Sequence, residues 1–266
     1  MFEAKDHAFV ISAYKENPYL DATIQSIKQQ TVLGEIIVST STPSDYLTNI
    51  CQKHEIELVV NPLQHSAGCD WNYGYDYAQT PLVTIAHQDD YYEPNYLAEM
   101  LKALNRYKDG EVSLLFSDYY ELREDSKVTK NSLLGIKRVM NAFLRPRLLN
   151  KSIFVKTRIL AFGCSICCPS VLLVKAVAGE SVFDTTYINS CDYKTWVDMA
   201  RKKGRFVYIP KQLLGHRIYP ESATTKNLGN NVRQQEDQEI LKTLWPSWIA
   251  QIVYSFYAKG EESNRL

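Results

Sequence analysis

Two adjacent carboxylates close an apolar run in the first half of the chain. Residues 82–86 (LVTIA) lead into His87, Asp89 and Asp90, and Pro94 then introduces a helical pattern. Carboxylate oxygens suit Mg²⁺ or Mn²⁺, which also accept oxygens from a substrate diphosphate. A metal held there would neutralise charge on a leaving diphosphate. Alternatively, Asp90 helps to cap the following helix, and the spacing alone leaves both interpretations open.

Strand and helix patterns alternate around these acids. Short apolar runs predict strands at residues 8–13, 35–39, 57–60, 82–86 and 112–116. Helical patterns fall between the strands, at residues 20–27, 46–54, 73–78 and 94–104. This alternation predicts βαβ crossovers and a mainly parallel sheet flanked by helices. Because such sheets bind ligands at the carboxyl ends of their strands, Asp89 and Asp90 lie where a ligand is expected.

The second half of the chain is less regular. Residues 133–162 are basic and apolar with Pro146 in their middle, which predicts broken helices or a mobile insertion. Beyond them the patterns predict a helix, a strand and further helix, at 192–203, 206–209 and 231–257. Since no repeat or low-complexity linker interrupts the sequence, we expect one domain over residues 1–266. Its parts are a regular half, a less regular half and a helical C-terminal segment, at 1–120, 121–226 and 227–266.

Charge is balanced overall, at 30 basic and 30 acidic residues, but it is segregated along the chain. No Asp or Glu occurs from Ser126 to Gly179, where ten cations fall. They are Lys127, Lys130, Lys137, Arg138, Arg145, Arg147, Lys151, Lys156, Arg158 and Lys175. This excess indicates an anionic partner, such as phosphates or an acidic membrane surface, or else a solvated face whose countercharges lie elsewhere in the fold.

Several features bear on the compartment. The N-terminal residues lack a signal-peptide pattern, and no apolar run approaches the roughly 20 residues that span a bilayer. The six cysteines follow no disulfide spacing, which favours a reducing cytoplasm. Near the C-terminus, Trp245, Trp248, Ile252 and Phe256 recur at helical spacing. That pattern is typical of a membrane interface or a partner contact, and equally of core packing.

Four stretches in the first half carry a family resemblance. Residues 8–30 (AFVISAYKENPYLDATIQSIKQQ), 35–39 (EIIVS), 72–74 (NYG) and 87–90 (HQDD) resemble, in order and spacing, family 2 glycosyltransferases of the GT-A fold. The resemblance covers the first 120 residues and resumes at 191–224. It implies a Rossmann-like nucleotide-sugar-binding sheet in the first half and an acceptor-side second half. It also implies metal-dependent transfer of a sugar with inversion.

The resemblance assigns roles around the sugar donor. Ala13, Tyr14 and Glu16 match the first loop, which holds the nucleoside in the family. Asp89 matches the second acid of the family's Asp-x-Asp motif, the usual metal ligand. His87 stands where the first acid would be, and a histidine can still ligate or donate a hydrogen bond there. Further donor-binding candidates are Ser41, Asn72 and Asp90.

The resemblance also assigns roles on the acceptor side. Asp192 matches the second acid of an acidic pair, with Cys191 in place of the first, and is therefore the expected base for the acceptor hydroxyl. Asp192 is equally placed to cap a helix beginning at Tyr193, and both roles can coexist. His216 is a candidate metal ligand, and Arg217 a candidate partner of phosphate oxygens. Residues 163–171 (GCSICCPSV) line the acceptor side in relatives, or form a tight turn.

The expected function is transfer of a sugar from a nucleotide-diphosphate donor, with UDP-sugars first among them, to a saccharide or lipid-linked acceptor. The expected cofactor is Mn²⁺ or Mg²⁺, and the expected role is synthesis of a surface polysaccharide. We expect a cytoplasmic protein, peripheral at the inner face of an anionic membrane, and no nucleic-acid partner. Two alternatives remain: a non-catalytic nucleotide-sugar-binding protein, and a nucleotidyltransferase. A nucleotidyltransferase would have a Gly-rich phosphate-binding loop after the first strand, and residues 14–17 (YKEN) do not supply one.

Overall fold

A nine-stranded sheet forms the centre of the protein in a computed structural model, which describes residues 1–63, 66–124, 126–220 and 231–262. The strands are β1 (His7–Ala13), β2 (Glu35–Thr40), β3 (Glu57–Val60), β4 (Leu82–His87), β5 (Tyr91–Tyr92), β6 (Val112–Arg123), β7 (Ser126–Val128), β8 (Val171–Val174) and β9 (Arg205–Ile218). Their order across the sheet is β3-β2-β1-β4-β8-β6-β9-β5, with β7 paired to β6.

Helices flank the sheet in the described part of the chain. They are α1 (Leu20–Lys28), α2 (Asp45–His54), α3 (Ala67–Tyr77), α4 (Tyr96–Leu104), α5 (Ser132–Ala142), α6 (Ile153–Leu160), α7 (Lys175–Ala178), α8 (Cys191–Ala200), α9 (Asn231–Lys242) and α10 (Ser247–Glu262). The break predicted around Pro146 separates α5 from α6, and Pro246 separates α9 from α10. No helix in these ranges is long and apolar enough to cross a membrane.

The sheet is mostly parallel, as predicted. Strands β1 to β4 pair in parallel, and β6 pairs in parallel with β9. Alternate side chains of β1 enter different cores: Ala8 and Val10 face one side of the sheet, while Phe9 and Ile11 face the other. Each large apolar side chain buried in this way contributes about 1.5–3 kcal/mol. Because a core covers each face of the sheet, an inner strand such as β1 needs apolar residues at successive positions.

Two features of the sheet differ from the predicted strands. Val171, the last residue of the stretch expected to line the acceptor side or to form a turn, begins β8, which is antiparallel to both of its neighbours, β4 and β6. The strand predicted at 206–209 continues to Ile218 instead of ending before Pro210. Its register with β6 jumps from Ile209 to Gln212, so Pro210, which has no N–H, sits in a bulge and the ladder resumes beyond it. This extension carries His216 and Arg217 into the sheet.

Candidate active site

Strand pairing brings the candidate residues together at the carboxyl end of β4. The short strand β5 turns back against β9, which sets Tyr91 opposite Gly215. Asp90 and His216 adjoin these two residues in sequence and so become neighbours. A side chain on residue 215 would lie 2.8 Å from the ring of Tyr120, and glycine therefore permits this close crossing.

His87, Asp89 and Asp90 form a cluster suited to a metal ion. Each offers one ligand atom, and these three atoms lie within 4.8 Å of one another. His87 Nε2 and Asp90 Oδ2 are buried and have no hydrogen-bond partner among the described residues. Burying unsatisfied polar atoms costs free energy, and a divalent cation in the cluster would satisfy Asp90 Oδ2, which lies 3.9 Å from His87 Nδ1. One imidazole with two carboxylates is a donor set that suits Mn²⁺ and other first-row transition ions.

Asp90 is ion-paired within the protein. Its Oδ1 accepts hydrogen bonds from His216 Nδ1 at 2.9 Å and from the Arg217 N–H at 3.0 Å. Burial opposes ionisation of Asp90, but the charge and hydrogen bond of His216 outweigh it and hold the pKa of this carboxyl below its ordinary value. Burial likewise opposes protonation of His216, and Asp90 raises the pKa of that imidazole in spite of it. The suggested capping role for Asp90 is wrong, because the N-cap of α4 is Asn95.

A bound cation would stabilise the ionised form of Asp89. Burial and the neighbouring charge of Asp90 raise its pKa above the ordinary value. Its Oδ2 accepts a hydrogen bond from the Tyr219 hydroxyl at 2.8 Å, and that hydroxyl accepts one from Asn17 Nδ2 at 2.9 Å. The Arg217 Nε donates to the Asp89 carbonyl at 3.0 Å. Asn17 and Tyr219 were missed from the sequence, since they lie 202 positions apart and neither belongs to an acidic motif.

His216 lies beside the cluster, in contact with Asp90. Its Nδ1 is committed to Asp90, and the three converging ligand atoms do not include it. This contact lets His216 orient and charge Asp90, and direct metal binding through its other ring nitrogen stays a prediction. Such partners of a ligating carboxylate fix its orientation and tune the metal site.

The loop after β1 is tied to the loop after β4. The backbone N–H and carbonyl of Tyr14 pair with the side-chain amide of Gln88 at 3.0 and 3.1 Å. Lys15 adopts the left-handed region at φ 57°, and its N–H donates to Thr42 Oγ1 at 2.6 Å. Ala13 is buried at the end of β1, while Glu16 and half of the Tyr14 side chain are exposed. An exposed aromatic ring on a fixed backbone is suited to stacking on a nucleobase.

Ser41 and Asp70 belong to a network near the carboxyl ends of β2 and β3. Ser41 Oγ donates to Asp70 Oδ2 at 2.7 Å, and Asn61 Nδ2 donates to Asp70 Oδ1 at 2.8 Å. All three side chains are buried. The network fixes Ser41 just after β2, and the adjacent Thr42 accepts the Lys15 N–H from the loop after β1.

Asn72 and Trp71 act through their neighbours. The Asn72 amide donates to the Phe183 carbonyl at 2.8 Å and accepts the Phe183 N–H at 2.7 Å, so it binds the segment that leads to α8. These bonds give Asn72 a positioning role, and its direct contact with the donor stays a prediction. The Trp71 ring stacks on His87, with centroids 5.2 Å apart and planes 20° from parallel, and so holds the imidazole orientation.

Asp192 lies in the first turn of α8 with its side chain partly exposed. Its only hydrogen bond from described residues comes from the Tyr193 N–H, at 2.7 Å. Burial raises the pKa of this carboxyl, against the lowering effect of Arg233 and His87. Ser190 is the N-cap residue of α8, so Asp192 is a first-turn acid and not the cap. A carboxylate with a free oxygen and a raised pKa suits a general base.

A carboxylate from α9 clamps the segment that precedes Asp192. Glu236 accepts the backbone N–H groups of Ile188, Asn189 and Ser190 at 2.7 to 2.9 Å, and Asp237 accepts the Ser190 hydroxyl at 2.7 Å. Both acids are buried. The sequence alone does not reveal them, because the pairing spans more than 45 positions and α9 lies outside the alternating pattern.

We expect Glu236→Gln to destabilise the protein by about 1–3 kcal/mol, because an amide offers one acceptor oxygen to three donors and leaves buried N–H groups unsatisfied. Urea unfolding monitored by circular dichroism measures this difference. Glu35→Gln, an exposed position at the start of β2, is the control for the same change of residue and should leave the midpoint unchanged. An unchanged midpoint in Glu236→Gln would show that the clamp is dispensable.

Similarity to known proteins agrees with this geometry. The family model described as glycosyl transferase family 2 matches residues 8–173. No curated protein sequence matches the chain. Among solved structures, TarS of S. aureus aligns with a TM-score of 0.62 at 12% identity over 97% of this chain and 44% of its own. The chain thus spans less than half the length of that protein.

Two further structures align over most of both chains. The mannosyltransferase PcManGT from Pyrobaculum calidifontis gives a TM-score of 0.64 at 14% identity over 99% of this chain and 71% of its own. Glucosyl-3-phosphoglycerate synthase from Mycobacterium tuberculosis gives 0.57 at 14% identity over 90% and 79%. These likenesses establish the GT-A fold. The chain therefore belongs to glycosyl transferase family 2, and it is a glycosyltransferase.

Proposed function

We propose that this glycosyltransferase is metal-dependent and inverting, with the donor diphosphate held at His87, Asp89 and Asp90 and with Asp192 as the base. The observation that carries the proposal is the convergence of three ligand atoms at the carboxyl end of β4, two of them from side chains that each keep a buried, unpartnered polar atom. In support, PcManGT is described in complex with GDP-Man and Mn²⁺, and the mycobacterial synthase with Mn²⁺ and UDP.

Donor recognition is divided along the cleft. The exposed ring of Tyr14 stacks on the base, and Ala13, Glu16 and Ser41 form the surrounding wall and floor. Within the Arg217 guanidinium, Nε is the only nitrogen that is hydrogen-bonded to a described residue. The guanidinium carbon lies 4.1 Å from the centroid of the Tyr19 ring. The remaining guanidinium N–H groups are available to phosphate oxygens.

The chemistry is one displacement at the anomeric carbon. A bound divalent ion would supply positive charge to the departing diphosphate. Asp192 removes the proton from the acceptor hydroxyl as the new glycosidic bond forms and the bond to the diphosphate breaks. Attack from the side opposite the leaving group inverts the anomeric centre. Glu236 keeps the first turn of α8 in place, which holds the base in position.

The nucleotide and the acceptor are narrower parts of the proposal. TarS is described in complex with UDP-GlcNAc, which supports a UDP-sugar as the first donor to test. We propose a saccharide or lipid-linked acceptor and a role in surface polysaccharide synthesis. We place the protein in the cytoplasm, where its six free thiols would stay reduced.

A thermal-shift panel of nucleoside diphosphates with Mn²⁺ or with EDTA tests this proposal. We expect one nucleotide to raise the melting temperature with Mn²⁺ and to have little effect with EDTA, because a ligand stabilises only the state that binds it. Stabilisation by no nucleotide would contradict the proposal. The non-catalytic alternative, which Cys191 in place of an acid keeps open, predicts nucleotide binding without release of a nucleoside diphosphate from any nucleotide sugar.

His87 should set the choice of metal. An imidazole ligand favours Mn²⁺ and other transition ions over Mg²⁺, which prefers oxygen. The substitution His87→Asp should therefore lower the ratio of Mn²⁺ affinity to Mg²⁺ affinity by about tenfold. Calorimetric titration of each ion into the nucleotide-saturated protein measures this ratio. The same ratio in both proteins would exclude His87 from the metal site.

A further inference from the structure

Large apolar side chains are exposed on three neighbouring helices. We define the apolar face by Val139 and Phe143 from the end of α5, Phe154 from α6, and Trp248, Ile252 and Phe256 from α10. Each of these side chains is at least half exposed, from 51% for Ile252 to 71% for Phe256. Monomeric proteins seldom expose so many large apolar groups together without a partner.

The outward side chains follow the helical repeat. Trp248, Ile252 and Phe256 lie four residues apart, on one stripe of α10, while Ala250 of the same helix is buried. Residues 247–258 contain no charged residue. The helix thus has an apolar inner side that completes the core and a second apolar stripe that faces solvent. The core-packing interpretation of this C-terminal pattern accounts for only one of these two sides.

The three helices are joined around residue 161. The Trp245 Nε1 donates to the Ala161 carbonyl at 2.6 Å, and the Arg158 guanidinium lies over both Trp245 and Phe154, at 4.4 and 5.5 Å. Helix α10 also contacts α5. The stripes therefore belong to one packed unit of the fold.

Most cations in the acid-free segment are held within the fold, in agreement with the interpretation that countercharges lie elsewhere, and only the remaining ones are available to an anionic partner. Lys127 and Arg138 pair with acids, and Lys156 is fully buried against backbone carbonyls. Lys137, Arg147, Arg158 and Lys175 are likewise held by hydrogen bonds or aromatic rings. Among described residues, Lys130, Arg145 and Lys151 remain exposed, and no hydrogen bond or ion pair holds their side chains.

Two of these three cations flank the apolar face. Arg145 and Lys151 lie on the connection between α5 and α6, and no acid occurs from Ser126 to Gly179 to offset them. An anionic surface complements this arrangement. A second copy of the chain on the same face would bring like charges together, which opposes association. The charges therefore favour lipid headgroups as the occupant.

The apolar face adjoins the candidate acceptor loop and the base. A side chain on Gly163, at φ 122°, would lie 2.4 Å from the Tyr257 ring, so α10 rests directly on the start of that loop. The Tyr193 hydroxyl donates to the Leu160 carbonyl at 2.6 Å, which ties the first turn of α8 to the end of α6. Asp192 precedes Tyr193, so the base and the apolar face share one support.

We propose that the apolar face seats on the surface of a bilayer carrying anionic lipids, and that the sugar acceptor is presented from this bilayer; the second part rests on the proposed function. Aromatic and aliphatic side chains on one helical stripe enter the headgroup boundary, while Arg145 and Lys151 bind lipid phosphates. A lipid-anchored acceptor would then reach Asp192 over a short path.

Sedimentation with vesicles of phosphatidylglycerol and phosphatidylcholine tests the seating. We expect the wild type to sediment with these vesicles at low salt. The triple variant Phe154→Ser/Trp248→Ser/Phe256→Ser should lose about tenfold or more in partition coefficient. A second variant, Arg145→Glu/Lys151→Glu, should lose about tenfold and bind with less salt dependence. Leu33→Ser/Leu63→Ser, exposed apolar positions off the face, should bind as the wild type does.

Three outcomes would overturn the seating: wild type that stays in solution at low salt, a triple variant that binds unchanged, or a dimer in sedimentation velocity that the triple variant abolishes. Nucleotide-dependent thermal shifts in the same variants separate the two proposals. Vesicle binding without any nucleotide binding would uphold the seating and reject the proposed function. Nucleotide binding without vesicle binding would do the reverse.

Discussion

Replacing Asp89 with asparagine should abolish metal-dependent binding of a nucleoside diphosphate while the fold persists. Asparagine keeps the size of the side chain and can still accept the hydrogen bond from Tyr219. It removes the negative charge that a divalent ion requires. Loss of supporting groups around a metal already costs 10- to 100-fold in affinity, so we expect loss of a direct ligand to cost about 100-fold or more.

The same substitution should not destabilise the protein. Burial and the charge of Asp90 raise the pKa of Asp89, so its ionised form is disfavoured in the folded state. By linkage, an acid whose pKa is raised in the folded state lowers the free energy of unfolding as the pH rises through its titration. Replacing that acid with a neutral amide removes this loss of stability at neutral pH. The melting temperature of Asp89→Asn without metal should therefore equal or exceed that of the wild type.

Calorimetry of the nucleoside diphosphate in Mn²⁺ measures the effect on binding. Asp109→Asn is the matched control. Asp109 precedes the amino end of β6, away from the carboxyl end of β4, and pairs with Arg205. The control should bind the nucleotide with the affinity of the wild type. Equal affinity in Asp89→Asn would exclude Asp89 as the metal ligand.

Asp192→Asn should depress turnover by roughly 10² to 10⁴, the range attributed to a positioned general base, while donor affinity stays constant. The amide cannot take the acceptor proton, yet its oxygen can still accept the Tyr193 N–H. Steady-state release of the nucleoside diphosphate from a saturating donor, in the presence of an acceptor, measures the effect. Asp198→Asn, on the same helix and paired with Lys194, is the matched control and should keep full turnover.

The pH dependence of turnover gives Asp192 a second signature. Burial raises its pKa, so the carboxylate form that accepts a proton is lost as the pH falls through a value above that of an ordinary aspartate. Turnover of the wild type should fall with it, and this acidic limb should vanish from the residual activity of Asp192→Asn. Unchanged turnover in that variant would move the base elsewhere, with Glu16 or Glu221, the latter outside the described residues, as the next carboxylates to test.

The first half of the fold was predictable because its signals are local. Strands β1, β2 and β4 contain short apolar runs covered on both faces, and the partly exposed strand at Glu57–Val60 was predicted to the residue. The carboxyl-end rule then placed Asp89 and Asp90 at the cleft. The strand β8 escaped prediction because four apolar residues after a turn read equally as a buried loop.

The parts of the site that escaped prediction depend on contacts between distant residues. Proline 210 predicts a strand end, but a bulge against β6 absorbs it and delivers His216 to Asp90. Tyr219 reaches Asp89 across 130 positions, and Glu236 reaches Ser190 across 46. The local excess of cations in residues 126–179 did not by itself identify a partner, because most of these ten side chains are buried or paired. Composition does not show which side chains are exposed.

A crystal structure with Mn²⁺ and the nucleoside diphosphate found in the thermal-shift panel tests the central claim most directly. Data collected near the manganese edge should show an anomalous peak at bonding distance, about 2.1–2.3 Å, from Asp89 and from an oxygen of the diphosphate. The base of the nucleotide should lie beside Tyr14. An anomalous peak away from His87, Asp89 and Asp90, or a nucleotide bound outside the cleft at the carboxyl ends of β1 and β4, would contradict the assignment.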